Sequence, residues 1–356
     1  MKQWTWIAAI LAAFVTPPVS AREVTPMITG LDQPWGLAIT PEGGVLVTER
    51  DGDLLHFKDG VRTKVRGVPR VAAAGQGGLL DVTLPRDFSR SRQVFLTYAK
   101  PQGRGSGTAL AVGTLNKDAK RLTDLRDLFV SARGGSTGRH FGSRVVEARD
   151  GTLFVTIGDR GDRPSAQDRS NHNGAIVRVT RDGKVPSDNP FVNTPSIQPE
   201  IWSYGHRNPQ GAGLDLQGTL WTAEHGAKGG DEVNRIKKGA NFGWPVISYG
   251  VHYSGRDIGE GNAKKGMEQP KHYWEPSIAP SGLLVYSGAL KPEWKGDILV
   301  GSLKFDYISR LDGNFVREVE QIKSSETDRV RDIIEAPDGS IWFISVGNGT
   351  VYRMVP

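Results

Sequence analysis

Among the seven histidines of this 356-residue chain, His140 has the surroundings best suited to chemistry, in Ser136-Thr137-Gly138-Arg139-His140-Phe141-Gly142. The glycines around it allow another molecule to come close, and a neutral imidazole there can take a proton from a substrate hydroxyl. Asp159, in Thr156-Ile157-Gly158-Asp159-Arg160-Gly161, ends the next strand of the same unit and could orient that imidazole. An ordinary turn aspartate is the equal alternative for it. A second group is cationic: Arg207, Lys304, Arg329 and Arg331, accompanied by Gln76 and Asn208. Four cations around one opening repel one another unless an anion sits among them. A multiply carboxylated or phosphorylated small molecule fits, held by charge-assisted and bidentate bonds. The competing arrangement pairs each arginine with a nearby acid, such as Asp332 beside Arg331. Gly226-Ala227-Lys228-Gly229-Gly230-Asp231-Glu232 offers carbonyl and carboxylate oxygens, the hard ligands calcium prefers, though without EF-hand spacing. No HExxH or other zinc spacing is present.

These residues are brought together by repetition. Six units share a lead-in to an apolar strand, glycine-containing in five of them, then a turn and a second strongly apolar strand. The lead-ins are Pro34-Trp35-Gly36, Gln76-Gly77-Gly78, His140-Phe141-Gly142, Arg207-Asn208-Pro209-Gln210-Gly211, Pro280-Ser281-Gly282 and Arg329-Val330-Arg331. The second strands are Val45-Leu46-Val47, Val94-Phe95-Leu96, Leu153-Phe154-Val155, Leu220-Trp221-Thr222, Ile298-Leu299-Val300 and Ile341-Trp342-Phe343. Turns such as Asp150-Gly151 and Asp338-Gly339 suit tight reversal. Six all-β units predict a six-bladed β-propeller with four-stranded blades, whose innermost strands begin around one mouth. A sandwich or a pair of barrels would not need six similar units. The chemistry-bearing residues are therefore expected to converge at that mouth. The stretch from Gly226 to Pro276, poor in strand pattern, is expected to be a long inserted loop at the rim.

Composition agrees. Forty-five glycines and 21 prolines are too many for a helical bundle. The absence of cysteine excludes disulfides, thiolate metal sites and cysteine nucleophiles. The net charge of +6 is scattered, with no long basic run or nucleic-acid motif, so nucleic acid is not an expected partner. At the start, Lys2, the apolar run Trp4 to Val15 and the small residues Val19-Ser20-Ala21 read as a secretory signal cleaved after Ala21. That run is shorter than the ~20 residues needed to span a bilayer. The expected mature protein is a single propeller domain over 22–356, exported to the periplasm, with no transmembrane segment.

Taken together, several motifs resemble the soluble aldose sugar dehydrogenases, pyrroloquinoline quinone (PQQ) enzymes related to soluble glucose dehydrogenase. They are Gly75-Gln76-Gly77-Gly78-Leu79-Leu80-Asp81, Gly138-Arg139-His140-Phe141-Gly142, Trp202-Ser203-Tyr204-Gly205-His206-Arg207-Asn208-Pro209-Gln210-Gly211, Glu224-His225-Gly226, Gly229-Gly230-Asp231-Glu232-Val233-Asn234, Asn241-Phe242-Gly243-Trp244-Pro245 and Arg329-Val330-Arg331-Asp332. The resemblance implies that His140 is the base for the anomeric hydroxyl, that Asp159 orients it, and that Arg207 steadies charge on the quinone oxygen. It implies that Gln76, Asn208, Lys304, Arg329 and Arg331 hold PQQ, with Tyr253 bordering it. A calcium ion on the carbonyls of Gly226 and Ala227 is implied, and a second, structural one on Glu232 and the carbonyl of Phe242. An aldose mono- or oligosaccharide is the implied substrate, and a quinone or small redox protein the electron acceptor. The chain departs from the family pattern at Ala227, where proline is common, and at Arg139, where a smaller polar residue is usual. A calcium-dependent propeller lactonase and a non-catalytic ligand-binding propeller are the rival readings.

Overall fold

The computed structural model describes residues 22–356, and the expected signal segment at 1–21 lies outside them. Six antiparallel four-stranded sheets form the molecule, each built from consecutive strands except the last. Their innermost strands are Pro34–Ile39, Leu79–Thr83, Val145–Glu147, Pro209–Leu214, Pro280–Val285 and Val330–Glu335. These are the strands that follow the six lead-ins, so the expected propeller is the fold. The sixth blade is completed from the other end of the chain: Val24–Ile28 pairs antiparallel with Thr350–Met354. Among the described residues no helix is long and apolar enough to cross a membrane.

The second strands read as unbroken apolar runs because each is covered on both faces. Leu46, Val47, Phe95, Leu96, Leu153 and Val155 have no exposed surface. The apolar core is divided into layers between neighbouring blades. Leu46 and Leu54 meet Leu79 and Leu96 between the first and second. Phe95 and Leu110 meet Val155 and Val177 next, and Phe154 and Ile176 meet Leu220 after that. Trp221 and Val233 meet Leu283 and Val300, and Leu299 and Ile308 meet Ile333 and Phe343. Val47 and Leu55 close the circle on Ile344 and Val351. Lead-in glycines permit the inner strands to approach: a Cβ on Gly211 would run into the carbonyl of Ser281 on the next blade.

The axis is polar. Arg144 Nη1 lies 2.8 Å from Asp81 Oδ1 and 2.8 Å from Asp332 Oδ1. Its Nε donates to the Gln210 carbonyl at 2.8 Å and its Nη2 to the Arg331 carbonyl at 3.0 Å. The guanidinium also stacks over Trp35, 4.2 Å from the ring centroid. One side chain thus ties together residues from five blades. The competing pairing of Arg331 with Asp332 does not form, because Asp332 is committed to Arg144 and to the Leu37 amide at 3.0 Å.

The expected long loop needs correction. Asp231–Arg235 and His272–Trp274 lie within it and form the third and fourth strands of the fourth blade. Its pattern hides this because Asp231 is buried on polar partners instead of apolar ones, accepting from the Gly226 amide at 2.7 Å and Ser277 Oγ at 3.0 Å. The true insertion is 236–271, which returns toward the mouth.

Candidate active site

His140 follows the fourth strand of the second blade and leads into the third blade in a left-handed backbone conformation, φ 56°. Its amide donates to Gln76 Oε1 at 2.7 Å, which turns the ring toward the mouth. Across from its carbonyl stands Gly158, where any Cβ would collide with it. Nδ1 lies 2.6 Å from Asp159 Oδ1. Asp159 is wholly buried and also accepts from the Gly161 amide at 2.7 Å and Trp244 Nε1 at 2.8 Å.

The electrostatics of this pair are complementary. Burial pushes the His140 pKa below the ordinary imidazole value, the Asp159 hydrogen bond opposes that, and Arg207 and Arg139 reinforce it. Burial alone would raise Asp159, but hydrogen bonds from His140 and Gly161 and the charge of Arg207 outweigh it and hold the carboxyl low. The stable combination is a neutral imidazole donating Nδ1–H to an ionised carboxylate. Nε2 is then an acceptor, a base by geometry and by charge.

His140 lines a cavity of about 420 Å³ together with Gln76, Arg207, Asn208, Gly226, Ala227, Tyr253 and Lys304. A second cavity, about 590 Å³, shares Gln76, His225, Ala279 and Lys304 with the first and adds Arg329 and Arg331. Ten of the thirteen sequence-predicted residues therefore line two adjoining spaces. The other three sit behind: Asp159 supports His140, while Glu232 and Phe242, with Glu224, face a small void of about 20 Å³ that shares Arg207, His225 and Gly226 with the His140 cavity.

The cations lack acidic partners. Among the described residues Arg207, Lys304, Arg329 and Arg331 form no salt bridge. Arg331 donates only to Gln210 Oε1, at 2.5 Å. Burial, then Arg144, Arg329 and Arg50, bring its pKa down to about 9. Arg207 donates from Nη1 to the His225 carbonyl at 3.2 Å, and its buried Nε has no partner. Tyr253 is 72 % exposed, so one face of its ring is open to a ligand at the rim.

Oxygen donors are available beside them. Among the described residues the carbonyls of Gly226, Ala227 and Phe242 accept no hydrogen bond. No three His, Cys, Asp or Glu side chains converge as a metal cage among the described residues, so a cation here would rest largely on carbonyl oxygens. Burial, then Glu224, push the Glu232 carboxyl up to about 8.

The residues 31–353 match the family model described as glucose/sorbosone dehydrogenase. This chain belongs to the glucose/sorbosone dehydrogenase family. The aldose sugar dehydrogenase YliI of Escherichia coli is 41% identical over 336 residues, 92% of this chain and 91% of that protein. A solved structure of the soluble aldose sugar dehydrogenase from Escherichia coli, in its apo form, matches with a TM-score of 0.91 and 38% identity, covering 94% of this chain and 100% of that one. The PQQ-bound form of an aldose sugar dehydrogenase from Streptomyces coelicolor matches with a TM-score of 0.77 and 25% identity, covering 95% of this chain and 99% of that one.

For this member of the glucose/sorbosone dehydrogenase family, sequence reasoning missed four mouth and support residues. Arg50 and Trp35 line the larger cavity. Arg50 lies just after the second strand of the first blade, a position without a counterpart among the lead-ins. Trp35 is itself a lead-in residue, and its place between two guanidinium groups, Arg144 at 4.2 Å and Arg331 at 5.7 Å, was the missing information. His225 borders both cavities. Trp244 was visible only as part of a motif.

Proposed function

We propose that this chain oxidises the C1 hydroxyl of aldose mono- or oligosaccharides to the lactone, using PQQ and calcium, in the periplasm after cleavage behind Ala21. The observation that carries this reading is the juxtaposition of a neutral, carboxylate-oriented His140 with adjoining cavities whose cations form no salt bridge among the described residues. A tricarboxylate fits that donor set: Lys304, Arg329, Arg331, Gln76 and Asn208 would hold it, with Tyr253 at its edge. The free carbonyls of Gly226 and Ala227 would take a calcium ion next to it, and replacing the usual proline by Ala227 leaves that carbonyl in place. Glu232 and the carbonyl of Phe242 would hold a second, structural ion in the small void.

Bound PQQ supplies a two-electron quinone that takes up hydride. The chain supplies the rest. His140 Nε2 removes the anomeric O–H proton as the C1–H hydride departs and the C1=O bond forms. Asp159 keeps Nδ1–H in place and stabilises the imidazolium. Arg207, unpartnered at Nε, meets negative charge developing beside it. A quinone or small redox protein would then collect the electrons.

The hydrolase reading has one attraction, a Ser203–His206–Glu224 chain with 2.9 Å links. Ser203 and His206 are fully buried, with Phe242 stacked on the imidazole 4.6 Å between centroids, so no ester or lactone reaches the hydroxyl. The axial acids a metal-dependent propeller hydrolase would use are bound to Arg144.

The test is reconstitution of metal-stripped mature protein with PQQ and Ca²⁺, separately and together, following reduction of an acceptor dye with glucose, other aldoses and maltose. Activity requiring both additions is expected. No activity and no change in the PQQ spectrum would overturn the reading in favour of a lactonase or a binding propeller. Arg331→Ala is expected to weaken PQQ binding by ~10-fold or more, since it removes a charge-assisted bond from a buried site. An absorbance titration with wild-type affinity would place that cation outside the cofactor site.

Glu232 gives a prediction with a definite sign. Its carboxyl releases its proton near pH 8 when folded, against an ordinary value of 4.5. The folded state thus holds the extra proton across that window, and metal-free stability falls as pH rises through it. Calcium in the void would replace the proton. The gain in Tm on adding Ca²⁺ should therefore be larger at pH 8 than at pH 6, and Glu232→Gln should abolish the difference. Equal gains at both pH values in the wild type would remove Glu232 from the calcium site.

A further inference from the structure

The Asp159 carboxylate has a partner that no reading of the base alone requires. Its Oδ1 is occupied by His140 Nδ1 and the Gly161 amide, and both come from segments that pack on the third blade. Its Oδ2 receives Trp244 Nε1 at 2.8 Å, from the insertion at 236–271 of the fourth blade. Trp244 is 6 % exposed. A buried tryptophan commonly finds an acceptor for its N–H; this one finds the carboxylate that faces the base.

The ring is fixed in turn. The Trp244 amide donates to the Gly205 carbonyl at 2.9 Å, and its carbonyl accepts from Gln167 Nε2 at 2.7 Å. Gln167 and Asn241 exchange two side-chain bonds, at 3.0 and 2.8 Å. The guanidinium groups of Arg163 and Arg207 each stand 5.3 Å from the centroid of the Trp244 ring. Arg207 is one of the cations lining the cavity that His140 shares, so one indole lies against both that cation and the carboxylate behind the base.

We infer that Trp244 is a positioning residue for His140: by donating to Asp159 Oδ2 it fixes the carboxylate so that Oδ1 holds the imidazole in its Nε2-acceptor tautomer. This rests on the reading of His140 as the base. Without the indole N–H, Oδ2 is a buried acceptor with no partner. The carboxylate then concentrates its charge on its remaining donors, chiefly His140 Nδ1–H, and loses the contact that defines its rotation. The ionisable groups that face the imidazole are Asp159, Arg207, Arg139 and His225, and Asp159 in turn faces Arg207 and Arg160. Trp244→Phe changes none of those charges.

The experiment compares Trp244→Phe with wild type in reconstituted holoenzyme, measuring the pH dependence of kcat and, by absorbance titration, PQQ affinity. The expected result is a fall in kcat of about tenfold, an acid limb displaced to higher pH because the freed carboxylate stabilises the imidazolium, and unchanged PQQ affinity. Asp159→Asn should displace that limb in the opposite direction. A wild-type kcat and pH profile overturns the inference. So does a parallel loss of kcat and PQQ affinity with an unmoved profile, which is the mark of a general packing role. Should the phenylalanine variant fail to fold, 3-benzothienylalanine at position 244, which substitutes sulfur for the indole N–H at the same shape, makes the same comparison. His140→Ala run alongside separates the two ideas: full activity in that variant removes the base itself, whereas an inactive His140→Ala with a wild-type Trp244→Phe removes only the positioning role.

Discussion

Replacing His140 by alanine is expected to leave PQQ binding close to wild type while lowering turnover by at least ~10²-fold, the scale of a lost general base. The separation of the two effects follows from the geometry. Two of the cations proposed to hold the cofactor, Arg329 and Arg331, line only the larger cavity, which His140 does not border, whereas the ring borders the smaller cavity with Arg207 and Asn208, and Lys304 lines both. The backbone around residue 140 is held by the hydrogen bond its N–H donates to Gln76 Oε1, which the ring does not make, so removal of the side chain leaves the frame standing. A base at His140 would work in its neutral form, and burial moves its titration below the ordinary imidazole range. The acid limb of kcat/KM should therefore have its midpoint below 6.5. Added imidazole, small enough for the space vacated, should restore part of the turnover in His140→Ala. Turnover within a few-fold of wild type, or an acid limb unchanged in the variant, would assign the proton transfer to another group.

The second large effect is on stability. Arg144→Met should cost ~3–5 kcal/mol, because it strands Asp81 and Asp332 as uncompensated buried charges. Burial already pushes Asp81 up to about 6, with Arg144 as the chief opposing influence. Folded carboxyls with raised pKa values hold protons that the unfolded chain releases, so the variant's deficit should deepen as pH rises from about 5 to 8. Denaturant unfolding at both ends of that range measures it. The triple variant Arg144→Met, Asp81→Asn, Asp332→Asn should recover much of the loss, since no ion is then left unpaired. An Arg144→Met protein as stable as wild type at pH 8 would show that water reaches the axis and solvates the two acids.

The propeller was legible because its second strands are covered on both faces and so stand out as unbroken apolar runs, Val94-Phe95-Leu96 being the clearest. The same physics explains what was missed. Asp231–Arg235 is buried against polar groups, so its strand carries no apolar signature. Val24–Ile28 is a half-exposed outer strand whose partner lies at the far end of the chain, and no local pattern announces such a pairing. At the site, the lead-in rule placed His140, Gln76, Arg207, Asn208, Arg329 and Arg331 correctly, since it follows from propeller geometry. It could not assign Asp332, because the choice between Arg331 and Arg144 depends on which guanidinium crosses the axis. Nor could it find Trp244, whose contact with Asp159 spans two blades.

The pairing of Val24–Ile28 with Thr350–Met354 makes the two ends of the chain into a clasp. Five blades can assemble from contiguous sequence, but the sixth waits for two segments that lie far apart in it. Trimming either end therefore unfastens the ring rather than fraying it. A chain whose residues 22 and 356 are joined, and which is opened instead at the turn around Asp59-Gly60, keeps the clasp shut and every blade interface it had before.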